Sequence, residues 1–298
     1  MYRSNGAFRV TALCVGIAVL YLPILVLIGY SFNASPLVSV WGGFSTVWYA
    51  QLLQHRSLLD AALLSLRIAF TASSAAVVLG TLAAIALVRF SRFPGRFLLT
   101  GMVTAPLVMP EVITGITQLL LFVSQLQTFS WPHRGFLTIV LAHVTFCIAY
   151  VTVTVRSRLQ SADRSLEEAA MDLGAGPTRA FIEITLPLIA PAILASWLLS
   201  FTLSLDDLVI SSFVAGPATN TLPMLIYSKV RLGISPVINA LASIIIAIIG
   251  TCVIAAGWLM RRADQRRELE MREAERANAA PAPPGGGEPP PLALRSPS

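Results

Sequence analysis

Long apolar runs separated by short, arginine-bearing loops leave this 298-residue chain few ways to fold. A helix that crosses the hydrocarbon core of a bilayer needs about 20 mostly apolar residues. Six stretches meet that length, at roughly 10–30, 68–88, 98–123, 136–155, 192–214 and 237–260. Hydrophobic residues make up 55% of the chain and charged ones 12%, against about 25% charged in an ordinary soluble domain. The expected fold is therefore all-α, a polytopic membrane protein with six transmembrane helices. The first stretch, Val10–Tyr30, is longer than a signal-peptide core and no convincing small-residue cleavage site follows it, so it reads as a retained span. The third contains Pro106, Pro110 and Gly115. A break of that kind is tolerated in lipid only where other protein or a wet cavity satisfies the backbone.

The net charge of +6 does not point to nucleic acid, because the arginines sit between and after the apolar runs. Arg3 and Arg9 precede the first run; Arg89, Arg92 and Arg96 lie between the second and third. Arg156, Arg158, Arg164 and Arg179 lie between the fourth and fifth, and Arg261, Arg262, Arg266 and Arg267 follow the sixth. Basic loops mark the cytoplasmic side. Both termini are thus expected inside, with 1–9 as a cytoplasmic N-terminus and 10–260 as the spanning domain. Residues 261–298 form a charged cytoplasmic tail whose PAPPGGGEPPP stretch reads as disordered. The loop from Ser31 to Ser65 faces outward, and its Trp41, Trp48 and Tyr49 suit a short interfacial helix.

Catalytic chemistry has little support. A phosphate-binding Walker A loop needs Gly-Lys-Ser/Thr, whereas the one lysine, Lys229, follows Ser228. His55, His133 and His143 are isolated; His143 reads as a hydrogen-bonded packing residue. Cys14, Cys147 and Cys252 lie in apolar runs and read as buried thiols. No catalytic set and no metal site is expected.

Three acids stand inside the apolar runs: Glu111, Asp206 and Asp207. Ionisable groups at membrane depth are costly and usually functional. Glu111 lies thirteen residues beyond Leu98 and Asp206 fifteen beyond Pro191, so at about 1.5 Å per residue both sit about 20 Å along their runs. Carboxylates sharing one layer suit the path of a cation, above all a compact polyvalent one. The competing reading is local: the Asp pair bonding Thr202, Ser204 or Ser211, and Glu111 capping the helix that resumes after Pro110. Neighbours on a helix point about 100° apart, so one Asp can face a path while the other is structural.

The loop between the fourth and fifth runs, 164–191, is the most informative segment. Ser165 and Glu168 match a capping box, Gly174 suits a C-terminal cap and Pro177 can open a second short helix, with Pro187 beginning the return to the membrane. The loop resembles the coupling loop of binding-protein-dependent ABC importer permeases, E-A-A, three residues, G, nine residues, I-x-L-P. Glu168, Ala169, Ala170, Gly174, Ile184, Leu186 and Pro187 match every specified position. In that family the loop docks in a groove on the ATPase, which implies coupling roles for these residues and for Asp172.

SFNAS, FSTVWY, TAPLVMPEVITG, LAHVTFC, EEAAMDLGA, FTLSLDDLVISSFVAGP and SPVINALA further resemble the polyamine subgroup of these permeases, the putrescine type above all. The resemblance covers about 10–260 and implies a type I ABC importer permease (MetI-like) fold in a bacterial inner membrane. It implies a second homologous permease, a cytoplasmic ATPase dimer that binds ATP-Mg, and a periplasmic polyamine-binding protein, with no cofactor held by this chain. Trp48, Glu111, Asp206 and Asp207 would line the substrate path; Glu111 stands where the subgroup more usually has Asp. The same machine with other cargo (ferric iron, an amino acid or an opine) is the alternative, followed by an ion-coupled cation carrier.

Overall fold

The computed structural model describes residues 5–37, 40–90, 92–232 and 236–251, together with Ile254, Trp258 and Arg262. The described chain is almost wholly helical: α1 (Asn5–Ser31), α2 (Val47–Gln54), α3 (Arg56–Arg89), α4 (Arg96–Val108), α5 (Glu111–Phe129) and α6 (Phe136–Ser161). There follow α7 (Ser165–Asp172), α8 (Pro177–Ala180), a π-helical turn (Phe181–Thr185), α9 (Leu186–Asp206), α10 (Val209–Val214), α11 (Leu222–Leu232) and α12 (Pro236–Thr251). Two compact units divide at Leu241 and Ala242.

Five described helices are long and apolar enough to cross a membrane: Phe8–Ser31, Arg56–Arg89, Glu111–Phe129, Phe136–Ser161 and Pro177–Asp206. α4 and α12 are apolar but shorter. The expected third span is two helices, because Pro110 supplies no N–H and α4 stops at Val108. The second begins at Arg56, well before 68. The fifth ends at Asp206 rather than 214, and α10 is a separate short helix. The expected sixth span is described as a continuous helix only to Thr251; the N-terminal four residues and the Pro/Gly-rich stretch of the tail lie outside the described residues.

The core of the first unit is α3, α6 and α9, and small residues make it possible. Ala69, Ala72, Ser73, Ala76, Gly80 and Ala84 form a buried stripe on α3. It meets Cys147, Val151 and Val155 of α6, while α9 buries Ser196, Ser200 and Ser204 at four-residue spacing. Close approach of small residues is how helices associate where lipid offers no hydrophobic drive. A Cβ on Gly80 would stand 2.7 Å from Val151 Cβ and 3.2 Å from Ile148 O. Gly80→Ala is therefore expected to lower the thermal midpoint of the detergent-solubilised protein, an overpacking cost of about 1–3 kcal/mol. Val151→Ala in the same chain removes the Cγ1 at 2.7 Å but keeps the Cβ, so it should recover only a small part of that loss; a midpoint unchanged by Gly80→Ala itself would argue that the two helices are not this close there.

α1 has no buried residue over its apolar window, so its side chains are left to lipid or another subunit. The loop after it is folded rather than slack. Asn33, buried, accepts from Gly42 N (2.7 Å) through Oδ1 and donates to Val40 O (2.7 Å) through Nδ2. Tyr49 and Ser31 share a hydrogen bond of 2.7 Å.

Candidate substrate cleft and coupling loop

The broken third span and the end of the fifth meet at a cleft of about 270 Å³. Glu111, Asp206 and Asp207 all line it, with Pro106, Phe146 and Tyr150 among its walls. Glu111 is the first residue of α5, with its side chain exposed and making no cap hydrogen bond. Asp206 is the exposed last residue of α9. Neither pairs with a basic side chain among the described residues, which leaves two carboxylates free to meet a cation.

Asp207 is different. Its Oδ2 accepts from Ser211 N at 2.7 Å and its Oδ1 from Ile210 N at 3.2 Å, so it caps the start of α10. That capture of α10's free N–H groups accompanies the end of α9 one residue earlier. His143, 1% exposed, stands 3.2 Å from the same Oδ2 through Nε2. Its Nδ1 shares a 2.6 Å hydrogen bond with Ser204 Oγ, and Nε2 lies 3.1 Å from Ser211 Oγ. The Asp207 side chain is only 6% exposed. Both acids line the cleft, but Asp207 also bonds the backbone of α10 and His143, whereas Asp206 does not.

Trp48 is elsewhere. It sits on α2 and its Nε1 donates to Asn33 O at 2.5 Å, tying α2 to the loop after α1, and it does not line the cleft. Phe146 and Tyr150, four residues apart on α6, were not singled out in the sequence because an apolar run hides which aromatics face inward.

The 164–191 loop forms two short helices around a glycine turn. The expected capping box is absent: Arg164 takes the cap position, and Asp163 Oδ1 instead accepts from Ser165 N at 2.9 Å. At Gly174 φ is +91°, and Gly174 N→Met171 O (2.9 Å) with Ala175 N→Ala170 O (3.0 Å) closes a Schellman turn. Pro187 stands in the first turn of α9, where the chain returns toward the spans. α8, the π-turn and α9 run on as one rod, the wide turn accommodating the ladder bond that Pro187 cannot make. Glu168, Ala169, Asp172, Gly174 and Pro187 are exposed, Ala170 and Ile184 half-buried, and Leu186 sits at the exposed limit. Leu173, 91% exposed, extends an apolar edge beside the acids.

One contact in this region had no sequence signal strong enough to single it out. Glu167 is gripped by both ends of the Arg89 guanidinium, Nη2 donating to Oε1 at 2.7 Å and Nη1 pairing with Oε2. Thr185 Oγ1 also donates to Oε1 at 2.7 Å. Burial alone would raise the Glu167 carboxyl, but the hydrogen bonds from Arg89 and Thr185 and the nearby positive charge outweigh it and hold it below the ordinary range. A carboxyl with a lowered folded pKa stabilises the fold above its unfolded value, and that stabilisation is lost as pH falls through the folded one.

The family described as binding-protein-dependent transport system inner membrane component matches residues 76–269. The chain belongs to this family. It is 55% identical over 273 residues to the putrescine transport system permease protein PotI of Escherichia coli (strain K12), covering 91% of this chain and 97% of that one. It is 43% identical over 244 residues to the spermidine/putrescine transport system permease protein PotC of the same strain, covering 82% and 90%. Among solved structures, a bacterial ABC transporter involved in the import of the acidic polysaccharide alginate aligns with a TM-score of 0.65 at 15% identity, over 86% of this chain and 96% of that one. That likeness concerns the fold alone, which is all-α and MetI-like; the family match is what makes the chain an inner-membrane transport component.

Proposed function

We propose that this chain is one permease subunit of an ATP-driven importer of polyamines, putrescine foremost and spermidine next. The observation that carries the reading is the cleft in which Glu111 and Asp206 stand unpaired beside Phe146 and Tyr150. A diammonium ion has two charged ends and an apolar middle. Carboxylates can take the ends, and aromatic faces can take the methylenes and share in the charge. The names of the relatives agree with that chemistry. Asp207 is assigned to shaping the cleft and Trp48 to ordering its outer approach.

In this reading both termini and the 164–191 loop face the cytoplasm. A periplasmic binding protein delivers cargo, a second homologous permease completes the path, and a cytoplasmic ATPase dimer holds ATP-Mg. The exposed Glu168–Ala169 edge, Asp172 and the Gly174 turn dock on the ATPase, with Ile184, Leu186 and Pro187 carrying its motion into α9. The proposed organisation is a cytoplasmic N-terminus at 1–9, a spanning domain at 10–260 and a cytoplasmic tail at 261–298.

The test is uptake of labelled putrescine and spermidine by cells lacking their own importers and supplied with all subunits. Putrescine uptake should need the ATPase subunit, and Glu168→Ala should leave ATP hydrolysis running while uptake falls. Uptake that persists without the ATPase would support an ion-coupled carrier and end this proposal.

A further inference from the structure

We infer that Arg89, Glu167 and Thr185 form the joint that passes movement of the coupling loop to the spans, with Glu167 as its central positioning residue. The inference rests on the importer reading above and adds a second acid beside the Glu168 of the matched motif.

α7 is eight residues long and buries no side chain. A helix this short does not hold itself in water, and there is no apolar face to pin it. Its ends are closed locally, by Asp163 at the start and by the Schellman turn at Gly174. Among the described residues, Glu167 is the α7 side chain that hydrogen-bonds to other parts of the fold. Those partners are well placed for a lever. Arg89 is the last residue of α3, and Thr185 closes the π-turn that runs on into α9. Arg89 Nη2 also reaches Thr185 Oγ1 at 3.3 Å, so the three side chains close a triangle. Val88, Leu159, Ile184 and Leu188 line the crevice around it, and the Glu167 and Arg89 side chains are 12% and 25% exposed.

Glu167 and Glu168 point about 100° apart on α7. Glu168 is exposed, while Glu167 is turned toward the spans. A load applied to the outer face of α7 therefore reaches α3 and α9 through Glu167. The planar guanidinium fork fixes direction as well as distance, which a single ammonium contact would not. The π-turn at the same point is a local irregularity of the sort found where helices must yield.

The test uses the complete transporter, purified and reconstituted with its ATPase and binding protein, and reads putrescine moved per ATP hydrolysed. Glu167→Gln keeps size and one acceptor but loses the charge. It should lower that ratio about tenfold, with complex yield and basal hydrolysis retained. Arg89→Lys should fall between wild type and Glu167→Gln. The exchange Arg89→Glu with Glu167→Arg should couple better than either exchange alone, a rescue that a residue serving only assembly would not give. Stimulation of hydrolysis by the binding protein, read alongside, should drop toward the basal rate in Glu167→Gln. Wild-type coupling in Glu167→Gln, or loss of the complex in place of loss of coupling, overturns the inference. A wild-type complex that moves no putrescine but is stimulated normally counts against the cargo assignment, and the joint then stands or falls on stimulation alone.

Discussion

Asp206→Asn should cut putrescine uptake about tenfold or more while the assembled complex is recovered in wild-type amount. The side chain is exposed to the cleft and has no basic partner to lose, so the fold has little stake in its charge. The cargo has a large one. A hydrogen bond to a charged group contributes about 1.5–3 kcal/mol, and 1.4 kcal/mol is already tenfold in affinity. Glu111→Gln should act in the same direction from the other side of the cleft. Initial uptake rates across a range of putrescine concentrations check both variants. Wild-type rates at every concentration in both would mean that neither carboxylate meets the cation, and the polyamine path would need to be sought elsewhere in the assembly.

Asp207→Ala should instead cost the protein itself. Removing this carboxylate strips the acceptor from Ser211 N and Ile210 N and leaves His143 Nε2 with Ser211 alone. Each polar group left unsatisfied in a buried setting costs about 1–3 kcal/mol. α10, six residues long, has little else to hold its first turn. The expected outcome is a lower yield of assembled complex and a clear drop in thermal midpoint, with uptake falling in proportion to the protein that remains. Asp207→Asn should be milder, since its amide oxygen can still cap one N–H. A normal midpoint together with lost uptake in Asp207→Ala would reverse the assignment and make Asp207 the residue that meets the cargo.

The contrast between these neighbouring acids marks the boundary between what patterns along a chain can say and what packing adds. The residue order alone determined the class of fold, because 20-residue apolar runs with arginines between them have one stable solution in a bilayer. It also determined the glycine turn at Gly174, since that depends on residues within a few positions of one another. It placed Glu111, Asp206 and Asp207 at similar depth by counting rise along a helix, and all three do line one cleft. The capping box at Ser165 failed because Asp163, two residues upstream, reaches the same backbone first. Pro187, read as beginning the return to the membrane, stands in the first turn of α9.

Tertiary structure decided which acid is free. That depended on His143, which lies 64 residues along the chain from Asp207 and 68 from Ser211. It decided that Arg89, read in the sequence as one of several basic loop residues, grips Glu167 across 78 positions. It also tied Trp48, on α2, to the loop after α1 and away from the cleft. Spacing reports which side chains share a face of one helix. Which faces meet across helices is set by how Gly80, the alanines of α3 and the serines of α9 let three rods approach, and that information is not local.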